Sequence, residues 1–326
     1  MINVALIGCG KIGEKRVLAL QGIANVLICY DLNIENSLEF AKNNFCSSAK
    51  NLNEIFDNPN IDAVFIATSH DSLATLALQA LNSNKHVFIE KPGAINYWEF
   101  SKVIDSLVVD KKVLHVGYNH RYHKSIRKAI SMVESGVVGK ILFVRARYGH
   151  GGRVGYNNEW RADKNLSGGG ELIDQGTHLL DLSHAFLGDI TLEYGATPNY
   201  FWDMSVEDNA FIVVKNKIGA IGFLHASCTE WKNTFSFEVY GEFGKLEMSG
   251  LGGSYGIEKL THYDMSPEMG PPDTYAWEFP MADDSWKIEV EEFIRDVENG
   301  TSISSNIDSS LSVLELVSEI YKGSGR

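Results

Sequence analysis

An apolar strand that runs directly into a glycine-rich turn constrains this chain most. Residues 4–7 are Val-Ala-Leu-Ile, and six residues in a G-x-G-x-x-G arrangement follow them. The first glycine permits a tight turn, the second lets a pyrophosphate approach the backbone, and the third lets the next helix pack closely on the strand. Phosphates are favoured at the helix N-terminus behind such a turn. The pattern predicts a dinucleotide site that includes Gly8, Gly10, Lys11, Ile12 and Gly13.

An acidic residue lies at the expected distance behind this turn. Residues 25–30 are a second apolar run, and Asp31 follows it. A carboxylate about 20 residues after the fingerprint can accept hydrogen bonds from the adenosine ribose hydroxyls. Residues 32–35 contain no arginine that would neutralise a 2′-phosphate, so the sequence favours NAD over NADP. A simple turn residue at a strand end is the alternative role for Asp31.

Length and charge limit the classes of protein to which the chain can belong. With 326 residues it is long enough for two domains of roughly 100–200 residues each. The formal net charge of −13 and the pI near 5.2 disfavour nucleic acid and anionic membranes as partners, because the field of the protein repels phosphate groups. We therefore expect a small-molecule partner.

The cysteines and the N-terminal residues indicate the compartment. The four cysteines, at positions 9, 29, 46 and 228, form no CxxC pair, so we expect no disulfide framework and no zinc or other metal site. Met1 leads straight into strand residues. No apolar run approaches the roughly 18 residues of a membrane span. These features predict a soluble, cytoplasmic protein.

Apolar runs alternate with helical windows over the first part of the chain. Up to about residue 117 this alternation is typical of a parallel sheet with helices on both faces. The run Ala63–Ala67 lacks polar alternation, as expected of a strand buried on both faces. The predicted strands are Val4–Ile7, Val26–Tyr30, Ala63–Ala67, His86–Ile89 and Val113–Val116, and the predicted helices are Lys11–Gln21, Ile34–Asn43, Leu52–Phe56, Leu73–Leu81 and Trp98–Val109.

The pattern changes after Gly117. Alternating strands joined by glycine turns predict an antiparallel or mixed sheet with one covered face. The segment Gly250–Pro272 is rich in Gly, Ser and Pro, and we interpret it as a loop over the site. The predicted strands are Ile141–Tyr148, Asn209–Val214, Ala220–Ser227, Phe235–Tyr240 and Lys245–Met248, and the predicted helices are Ser125–Glu134, Trp286–Val297 and Leu311–Tyr321.

Together the two patterns predict an α/β protein with two domains. The first, residues 1–119, is a Rossmann-type NAD-binding domain with a doubly wound parallel sheet. The second, residues 120–326, is an α+β domain with an open, mainly antiparallel sheet, and its C-terminal helix can pack back on the first domain.

A charged pair follows the predicted strand His86–Ile89. In doubly wound folds ligands bind beyond the carboxyl ends of the strands, where Glu90 and Lys91 are expected. Lys91 would then lie beside the dinucleotide and close enough to contact a substrate. A solvated surface turn is the alternative.

A second polar cluster follows three consecutive glycines at 168–170. The next residues have helical spacing, which places Asp174 and His178 four residues apart and therefore on one helix face. Histidine titrates near neutral pH and suits general acid/base chemistry, and a nearby carboxylate can orient it. An amphipathic helix whose polar face points to water is the alternative.

These motifs, in this order, resemble those of the glucose–fructose oxidoreductase, inositol dehydrogenase and rhizopine-catabolism family (Gfo/Idh/MocA). The resemblance covers nearly the whole chain. It implies that Lys91, Asp174 and His178 are the catalytic residues and that the Lys91–Pro92 peptide is cis. It also implies that the second domain binds substrate and that its exposed sheet face is buried in a homodimer or homotetramer.

One departure from the family concerns the residues after Ala67. Many relatives have a histidine at a fixed position there, whereas His70 of this chain is offset. We still expect Thr68 and Ser69 to line the nicotinamide side of the cofactor, together with Glu90 and Lys91.

The substrate contacts are predicted from two segments. Asn119 and Arg121 lie in a stretch that resembles the family's interdomain segment. A basic and aromatic set then precedes the glycines, which suggests an anionic substituent held by guanidinium groups. Arginines paired with local carboxylates are the alternative. The set is Arg145, Arg147, Arg153, Trp160 and Arg161, of which we assign Arg153, Trp160 and Arg161 to substrate binding with Lys91, Asp174 and His178.

The resulting hypothesis is an NAD-dependent oxidoreductase of the CH–OH type (EC 1.1.1.-). Its substrate is a secondary alcohol, or the ketone, of a sugar, nucleotide sugar or cyclitol, with an amino- or nucleotide-linked sugar favoured over free inositol. Two alternatives remain open. One is an NAD-binding regulator without turnover, and the other is a glycosidase that oxidises its substrate transiently with retained NAD.

Overall fold

A computed structural model describes residues 1–110, 112–268, 270–300 and 306–325. Strands and helices alternate over the first 118 residues. They are β1 (Asn3–Ile7), α1 (Lys11–Leu20), β2 (Asn25–Tyr30), α2 (Ile34–Asn44), β3 (Ser47–Ser48), α3 (Asn53–Phe56), β4 (Ala63–Ile66), α4 (His70–Asn82), β5 (His86–Glu90), α5 (Tyr97–Asp110) and β6 (Leu114–Gly117).

The remainder of the chain is richer in strands. Four short 3₁₀ turns, Asn119–Tyr122, Tyr156–Asn158, Trp160–Ala162 and Gly253–Tyr255, and a π-helical turn, Leu172–Gly176, interrupt it. Its elements are α6 (Lys124–Glu134), β7 (Ile141–Gly149), α7 (Lys164–Ser167), α8 (Thr177–Leu187), β8 (Ile190–Ala196), β9 (Asn209–Asn216), β10 (Ile221–Ser227), β11 (Thr234–Gly241), β12 (Gly244–Ser249), β13 (Glu258–Asp264), β14 (Asp273–Phe279), α9 (Ser285–Asn299) and α10 (Ile307–Gly323).

The chain forms two compact units. The first comprises Met1–Tyr118 and Trp286–Leu314, and the second comprises Asn119–Ser285 and Glu315–Arg326. The division of the sequence into domains at residues 119 and 120 stays a prediction.

The first unit contains a six-stranded sheet in the order β3-β2-β1-β4-β5-β6. Every pair of neighbouring strands is parallel. All four residues of β4 are buried, as predicted from the absence of polar alternation. This sheet confirms the predicted parallel, Rossmann-type architecture.

Aromatic rings connect the middle of this sheet to α9. The rings of Phe65 and Phe88, on β4 and β5, are stacked with centroids 4.8 Å apart. Phe293 of α9 meets both rings edge-on, at 5.4 and 5.5 Å. These contacts place a helix from near the C-terminus in the core of the first unit.

A buried arginine joins α1 to the same core. The Arg16 guanidinium is inaccessible to solvent and forms ion pairs with Glu90, at the end of β5, and with Glu289 of α9. It also lies over the rings of Phe88 and Trp286, 4.3 Å from each centroid. Burial would lower the pKa of this guanidinium, but the two carboxylates outweigh that effect and raise it. The cation is therefore held between two anions and two aromatic faces.

The second unit contains an eight-stranded sheet in the order β14-β13-β12-β11-β7-β10-β9-β8. Its neighbouring strands are antiparallel except for β7 and β10, which are parallel. This confirms the predicted, mainly antiparallel second sheet. The strands predicted for this unit did not include β8, β13 and β14.

The interpretation of Gly250–Pro272 as a loop is wrong in part. Residues Glu258–Asp264 form β13, paired with β12 on one side and β14 on the other. Several inward-facing residues of this strand are polar, including Glu258 and His262, so the expected apolar alternation was absent from the sequence.

Replacing the buried arginine is expected to destabilise the first unit. Arg16→Met leaves Glu90 and Glu289 as buried, uncompensated carboxylates, which costs about 3–5 kcal/mol of unfolding free energy. The matched control is Lys15→Met, because Lys15 is exposed on the same helix and lies over the same Trp286 ring. Urea unfolding of both variants measures the difference. Equal stability of the two variants would contradict the assigned role.

Candidate functional site

The glycine turn after β1 brings two backbone segments into contact. Gly8 has φ of +101°, and a Cβ atom there would lie 2.4 Å from the carbonyl oxygen of Ala67, at the end of β4. A Cβ at Gly13 would lie 2.2 Å from the carbonyl oxygen of Gly8. The first and third glycines thus have the predicted roles of permitting the turn and close helix packing.

The second glycine faces open space. A Cβ at Gly10 would have no atom within 4 Å, and Gly10 precedes the first turn of α1. Nearby, Asp31 accepts hydrogen bonds from the N–H groups of Cys9 and Asn33, both at 2.9 Å. An open approach to bare backbone at a helix N-terminus, beside a fixed carboxylate, fits the pyrophosphate and ribose of a dinucleotide.

Thr68 and Ser69 lie where β4 ends and α4 begins. The Ser72 hydroxyl donates to Thr68 Oγ1 at 2.7 Å, and the Ser69 hydroxyl donates to Asp71 Oδ1 at 2.6 Å. His70 is the first residue of α4 and is buried. Thr68 and Ser69 are therefore at the same sheet edge as Gly8, and their contact with a cofactor stays a prediction.

Glu90 and Lys91 follow β5 at that edge too. The Lys91–Pro92 peptide is cis, as the family resemblance implies. Lys91 is half-buried, whereas the Glu90 carboxylate is buried against Arg16. Burial raises the pKa of Glu90, and Arg16 offsets only part of that effect. The Glu90 side chain thus positions α1, and its predicted contact with the cofactor remains untested.

In the second unit, the glycines at 168–170 allow two close approaches. A Cβ at Gly170 would lie 1.9 Å from the carbonyl oxygen of Glu207, and one at Gly169 would lie 1.9 Å from the Tyr321 hydroxyl. The Glu207 carboxylate accepts hydrogen bonds from the N–H groups of Gly170 and Leu172 at 3.0 and 3.1 Å and from Tyr321 at 2.6 Å. A buried carboxylate thus holds the start of the following helix, where N–H groups that lack a partner within the helix favour an anion.

The helix that carries Asp174 and His178 departs from the predicted geometry. Leu172–Gly176 is a π-helical turn, and regular α-helix begins only at Thr177. The prediction of regular α-helix is therefore wrong for residues 172–176, and the shared face of Asp174 and His178 stays a prediction. The alternative of a helix with its polar face in water is also wrong, since Thr177, His178 and Asp181 are buried. Such π turns occur frequently at functional sites.

His178 lies against other rings of the second unit. Its imidazole is stacked on that of His120, with centroids 3.9 Å apart and planes 18° apart. The Tyr148 ring of β7 meets His178 edge-on at 5.9 Å. Two rings, one from a 3₁₀ turn and one from a strand, therefore lie against this imidazole.

Asp174 has a cationic neighbour. Arg161 Nε donates to Asp174 Oδ2 at 3.0 Å, and the Arg161 guanidinium lies over the Trp160 ring at 4.5 Å. Both Asp174 and Arg161 are only partly buried. Arg161 thus contacts the predicted catalytic carboxylate and holds it by a charge-assisted hydrogen bond, while Trp160 contacts Arg161.

The other arginines also have carboxylate partners. Arg121 forms a two-pronged pair with the buried Asp181, with both contacts at 2.7 Å. Asn119 donates to the Ser285 hydroxyl at 3.0 Å. This pattern matches the alternative of local ion pairs, so an anionic substrate group has less support. The remaining pairs are Arg145–Glu238, Arg147–Glu230 and Arg153–Glu159.

A buried acid next to Asp174 was missed by the sequence analysis. Glu171 is the residue before the π turn, and its carboxyl accepts a hydrogen bond from the Tyr156 hydroxyl at 2.8 Å. Burial, followed by the charge of Asp174, raises the pKa of Glu171 to about 8. The Glu171 carboxyl is therefore largely protonated at neutral pH.

His120 and Tyr148 were missed too. His120 lies between Asn119 and Arg121, the two residues predicted to bind substrate. The local sequence did not indicate that the His120 side chain reaches His178. Tyr148 lies on β7, where the alternation of apolar residues predicts which sheet face a side chain occupies. The alternation does not predict which side chains it contacts. The abundance of histidine between residues 115 and 123 was the only available signal.

One cleft lies on the opposite side of the first sheet from the glycine turn. A cleft of about 770 Å³ is lined by Ile2, Asp62, Lys85 and His86, among others. These residues lie at the amino ends of the strands, opposite the edge that carries Gly8, so the cleft is not the dinucleotide site.

Within the described ranges no cluster of three or more His, Cys, Asp or Glu is arranged to hold a metal ion. None of the helices described there is long and apolar enough to cross a membrane.

Comparison with protein families gives two matches. Residues 2–118 match the model for an oxidoreductase family with an NAD-binding Rossmann fold. Residues 126–247 match the GFO/IDH/MocA C-terminal domain. The two matches together cover most of the sequence, in the order that the motifs indicated.

Comparison with characterised proteins gives dehydrogenases. The levoglucosan dehydrogenase of Pseudarthrobacter phenanthrenivorans is 27% identical over 286 residues, which are 75% of this chain and 73% of that protein. The myo-inositol 2-dehydrogenase of Thermotoga maritima is 24% identical over 313 residues, or 92% and 89% of the two chains.

Solved structures share the fold. A levoglucosan dehydrogenase in complex with NADH superposes with a TM-score of 0.90 at 21% identity, covering 99% of this chain and 97% of that one. GenD2 from gentamicin A biosynthesis, in complex with NAD, gives a TM-score of 0.84 at 20% identity, covering 100% and 95%.

The protonated acid at position 171 makes stability depend on pH. The carboxyl pKa rises from an ordinary 4.5 to about 8 in the folded protein, so between these values the folded state keeps a proton that the unfolded chain has lost. Stability therefore falls as the pH rises through this range. Glu171→Gln removes the dependence. We expect its Tm relative to wild type to increase between pH 5 and pH 9 by at least about 2–4 °C, the effect of ~1 kcal/mol.

Differential scanning fluorimetry across this pH range measures the effect. Glu193→Gln is the matched control, because Glu193 is exposed on β8 of the same unit. If the Tm difference between Glu171→Gln and wild type stayed constant with pH, the Glu171 carboxyl would not be the titrating group.

Proposed function

Because the chain belongs to the Gfo/Idh/MocA family of NAD-binding oxidoreductases, we propose that it is an NAD(H)-dependent dehydrogenase or reductase of a sugar or cyclitol. The reaction is oxidation of a ring secondary alcohol or reduction of the matching ketone. One observation carries the proposal: His178 is buried on a glycine-anchored helix that also presents Asp174, while Lys91 is retained after β5.

The first unit would hold the dinucleotide at the turn after β1. Gly8, Gly10 and Gly13 shape the turn, and Lys11 and Ile12 begin the helix behind it. The carboxylate of Asp31 would bind the adenosine ribose. When bound, NAD supplies the hydride acceptor of the reaction.

The proposed chemistry divides the work among three side chains. His178 accepts the hydroxyl proton during oxidation and returns it during reduction. Lys91 donates a hydrogen bond to the same substrate oxygen and stabilises its alkoxide character. Asp174, fixed by Arg161, binds a neighbouring hydroxyl and favours the required tautomer of His178.

The substrate is proposed to be a polyhydroxylated ring. The characterised relatives are named for levoglucosan and myo-inositol. The case for an amino- or nucleotide-linked sugar is weaker than the sequence suggested, because the arginines that would recognise an anionic group are paired with carboxylates. Asn119, Arg121, Arg153, Trp160 and Arg161 are retained as candidate substrate contacts.

The test combines turnover with truncation of the proposed residues. Purified protein with NAD and a panel of anhydrosugars, aldoses and cyclitols should reduce NAD, followed by absorbance. His178→Ala and Lys91→Ala should each lower kcat by about 10²–10⁴-fold, the usual contribution of a positioned acid or base. Lys102→Ala is the control, since Lys102 is an exposed lysine of α5.

Other outcomes identify the alternatives. Near-normal turnover in both variants would refute the residue assignment. NAD binding by calorimetry without turnover on any substrate would indicate a regulator. Tightly retained NAD, no net reduction and release of the aglycone from a glycoside would indicate a glycosidase. In all three cases the family assignment is unaffected.

Asp31 is proposed to select NAD over NADP. Its carboxylate is fixed by two N–H groups, and it would face a 2′-phosphate as a like charge. Asp31→Ser should therefore weaken NAD and relieve the repulsion of NADP. Loss of a hydrogen bond to a charged group is worth about 1.5–3 kcal/mol. We expect the NADP-to-NAD ratio of kcat/KM to rise roughly tenfold or more.

Steady-state kinetics with both cofactors measures this ratio. Asp105→Ser, at an exposed position of α5, is the control and should leave the ratio unchanged. A preference that does not move in Asp31→Ser would remove Asp31 from cofactor selection.

We further propose a cytoplasmic homodimer or homotetramer. Apolar side chains are exposed on the neighbouring strands β7 and β10, including Phe143, Ile221 and Phe223. Water-exposed apolar faces of this kind favour association. Light scattering gives the number of subunits.

A further inference from the structure

We propose that His120 is a positioning residue that holds the His178 imidazole in place by stacking. This inference rests on the proposed function, in which His178 moves the substrate proton. The two rings are nearly parallel at 3.9 Å between centroids, and both are buried. A parallel ring at this distance restricts the side-chain rotation of His178 more than an edge contact does.

His120 is itself held on several sides. The Tyr148 ring meets it at 4.8 Å, and the rings of Phe235 and His123 meet it at 5.7 Å each. All three contacts are edge-on, with interplanar angles of 65–80°. Such contacts come from β7, from β11 and from the start of α6, so His120 is fixed by three separate elements.

The array continues to β13. His123 Nδ1 lies 3.1 Å from Glu258 Oε2, and the N–H of Ser125 donates to the other oxygen of that carboxylate. Asp283 Oδ1 lies 4.0 Å from the same His123 nitrogen. Glu258 therefore fixes His123, His123 supports His120, and His120 supports His178.

The geometry favours transmission of position over transfer of a proton. Stacked imidazoles present their π faces to each other, while their N–H groups point along the ring planes. No ring nitrogen of His120 is directed at His178 by such a stack. The stack can therefore hold the His178 imidazole in a fixed orientation. It would thereby control how closely that imidazole approaches the geometry needed for proton transfer with the substrate.

The decisive comparison is between two substitutions of His120. His120→Phe keeps a ring that can stack and removes the nitrogens, whereas His120→Ala removes the ring. A misplacement of about 1 Å in a catalytic group can cost up to 10²-fold in rate, so we expect His120→Ala to lower kcat by about 10- to 100-fold. We expect an almost unchanged KM for NAD, and recovery of most of the kcat in His120→Phe.

The matched control is His225→Ala. His225 is also a stacked histidine of the second unit, 4.3 Å from the Phe211 ring and 7° from parallel. It pairs with Arg147, the neighbour of Tyr148 on β7, so its side chain lies on the other face of the sheet from Tyr148. It should keep the wild-type kcat. Thermal unfolding of all variants shows whether each is folded at the assay temperature.

Three results would overturn the proposal. His120→Ala with unchanged kcat would show that the stack is not needed. Equal losses in His120→Phe and His120→Ala would assign the effect to the nitrogens. An equal loss of kcat in His225→Ala would show that removing any stacked histidine of the second unit lowers activity.

A second readout does not depend on turnover. In the NMR spectrum of histidine-labelled protein, the ring current of His120 shields the His178 ring protons, and His120→Ala should shift them downfield while His120→Phe keeps them shielded. An absence of NAD reduction by wild type would refute the proposed function alone. Unshifted His178 resonances in His120→Ala would refute the stack alone.

Discussion

In each unit a backbone carbonyl from a distant part of the chain packs directly against a glycine. A Cβ atom at that glycine would collide with the carbonyl oxygen. The carbonyl oxygen of Ala67 occupies that position at Gly8, and the carbonyl oxygen of Glu207 occupies it at Gly170. Because both obstacles are backbone atoms, a rotamer change cannot relieve them. The end of β4 is thereby fixed against the dinucleotide turn, and the start of the helix that carries Asp174 is fixed against residue 207. The side chains of both candidate sites depend on these two approaches.

The buried carboxyl groups of the two units have different partners. In the first unit Glu90 and Glu289 share the Arg16 cation, which offsets part of the cost of burying Glu90. In the second, Glu171 has a tyrosine hydroxyl as its hydrogen-bond donor, and burial favours its neutral form. Asp174, three residues later, has Arg161 instead. A neutral acid beside an ion-paired one is the arrangement in which two neighbouring carboxyl groups can take separate roles.

The sequence was sufficient where a local rule determines the structure. The fingerprint glycines, the buried run at Ala63–Ile66 and the parallel character of the first sheet follow from backbone sterics and apolar patterning. It was insufficient where contacts between residues far apart in the sequence determine the local structure. Leu172–Gly176 is a π turn and not regular α-helix, the partner of Gly170 is residue 207, and β13 carries a buried Glu258 that lies 3.1 Å from His123. No window of consecutive residues contains those pairings. The assignment of Lys91, Asp174 and His178 came from family resemblance, and the stacking of His120 required the structure.

The distribution of charge bears on the class of substrate. The protein carries a formal net charge of −13, and each arginine of the basic set faces a carboxylate of the same unit. An anionic ligand would meet guanidinium groups whose charge is already partly neutralised, and it would approach against the surrounding negative field. A neutral polyol meets no such obstacle. Its hydroxyls can donate to Asp174 and accept from nearby N–H groups while the ion pairs stay intact. The pairing that weakens the case for a nucleotide-linked sugar therefore also provides donors and acceptors, at fixed positions, for an uncharged ring.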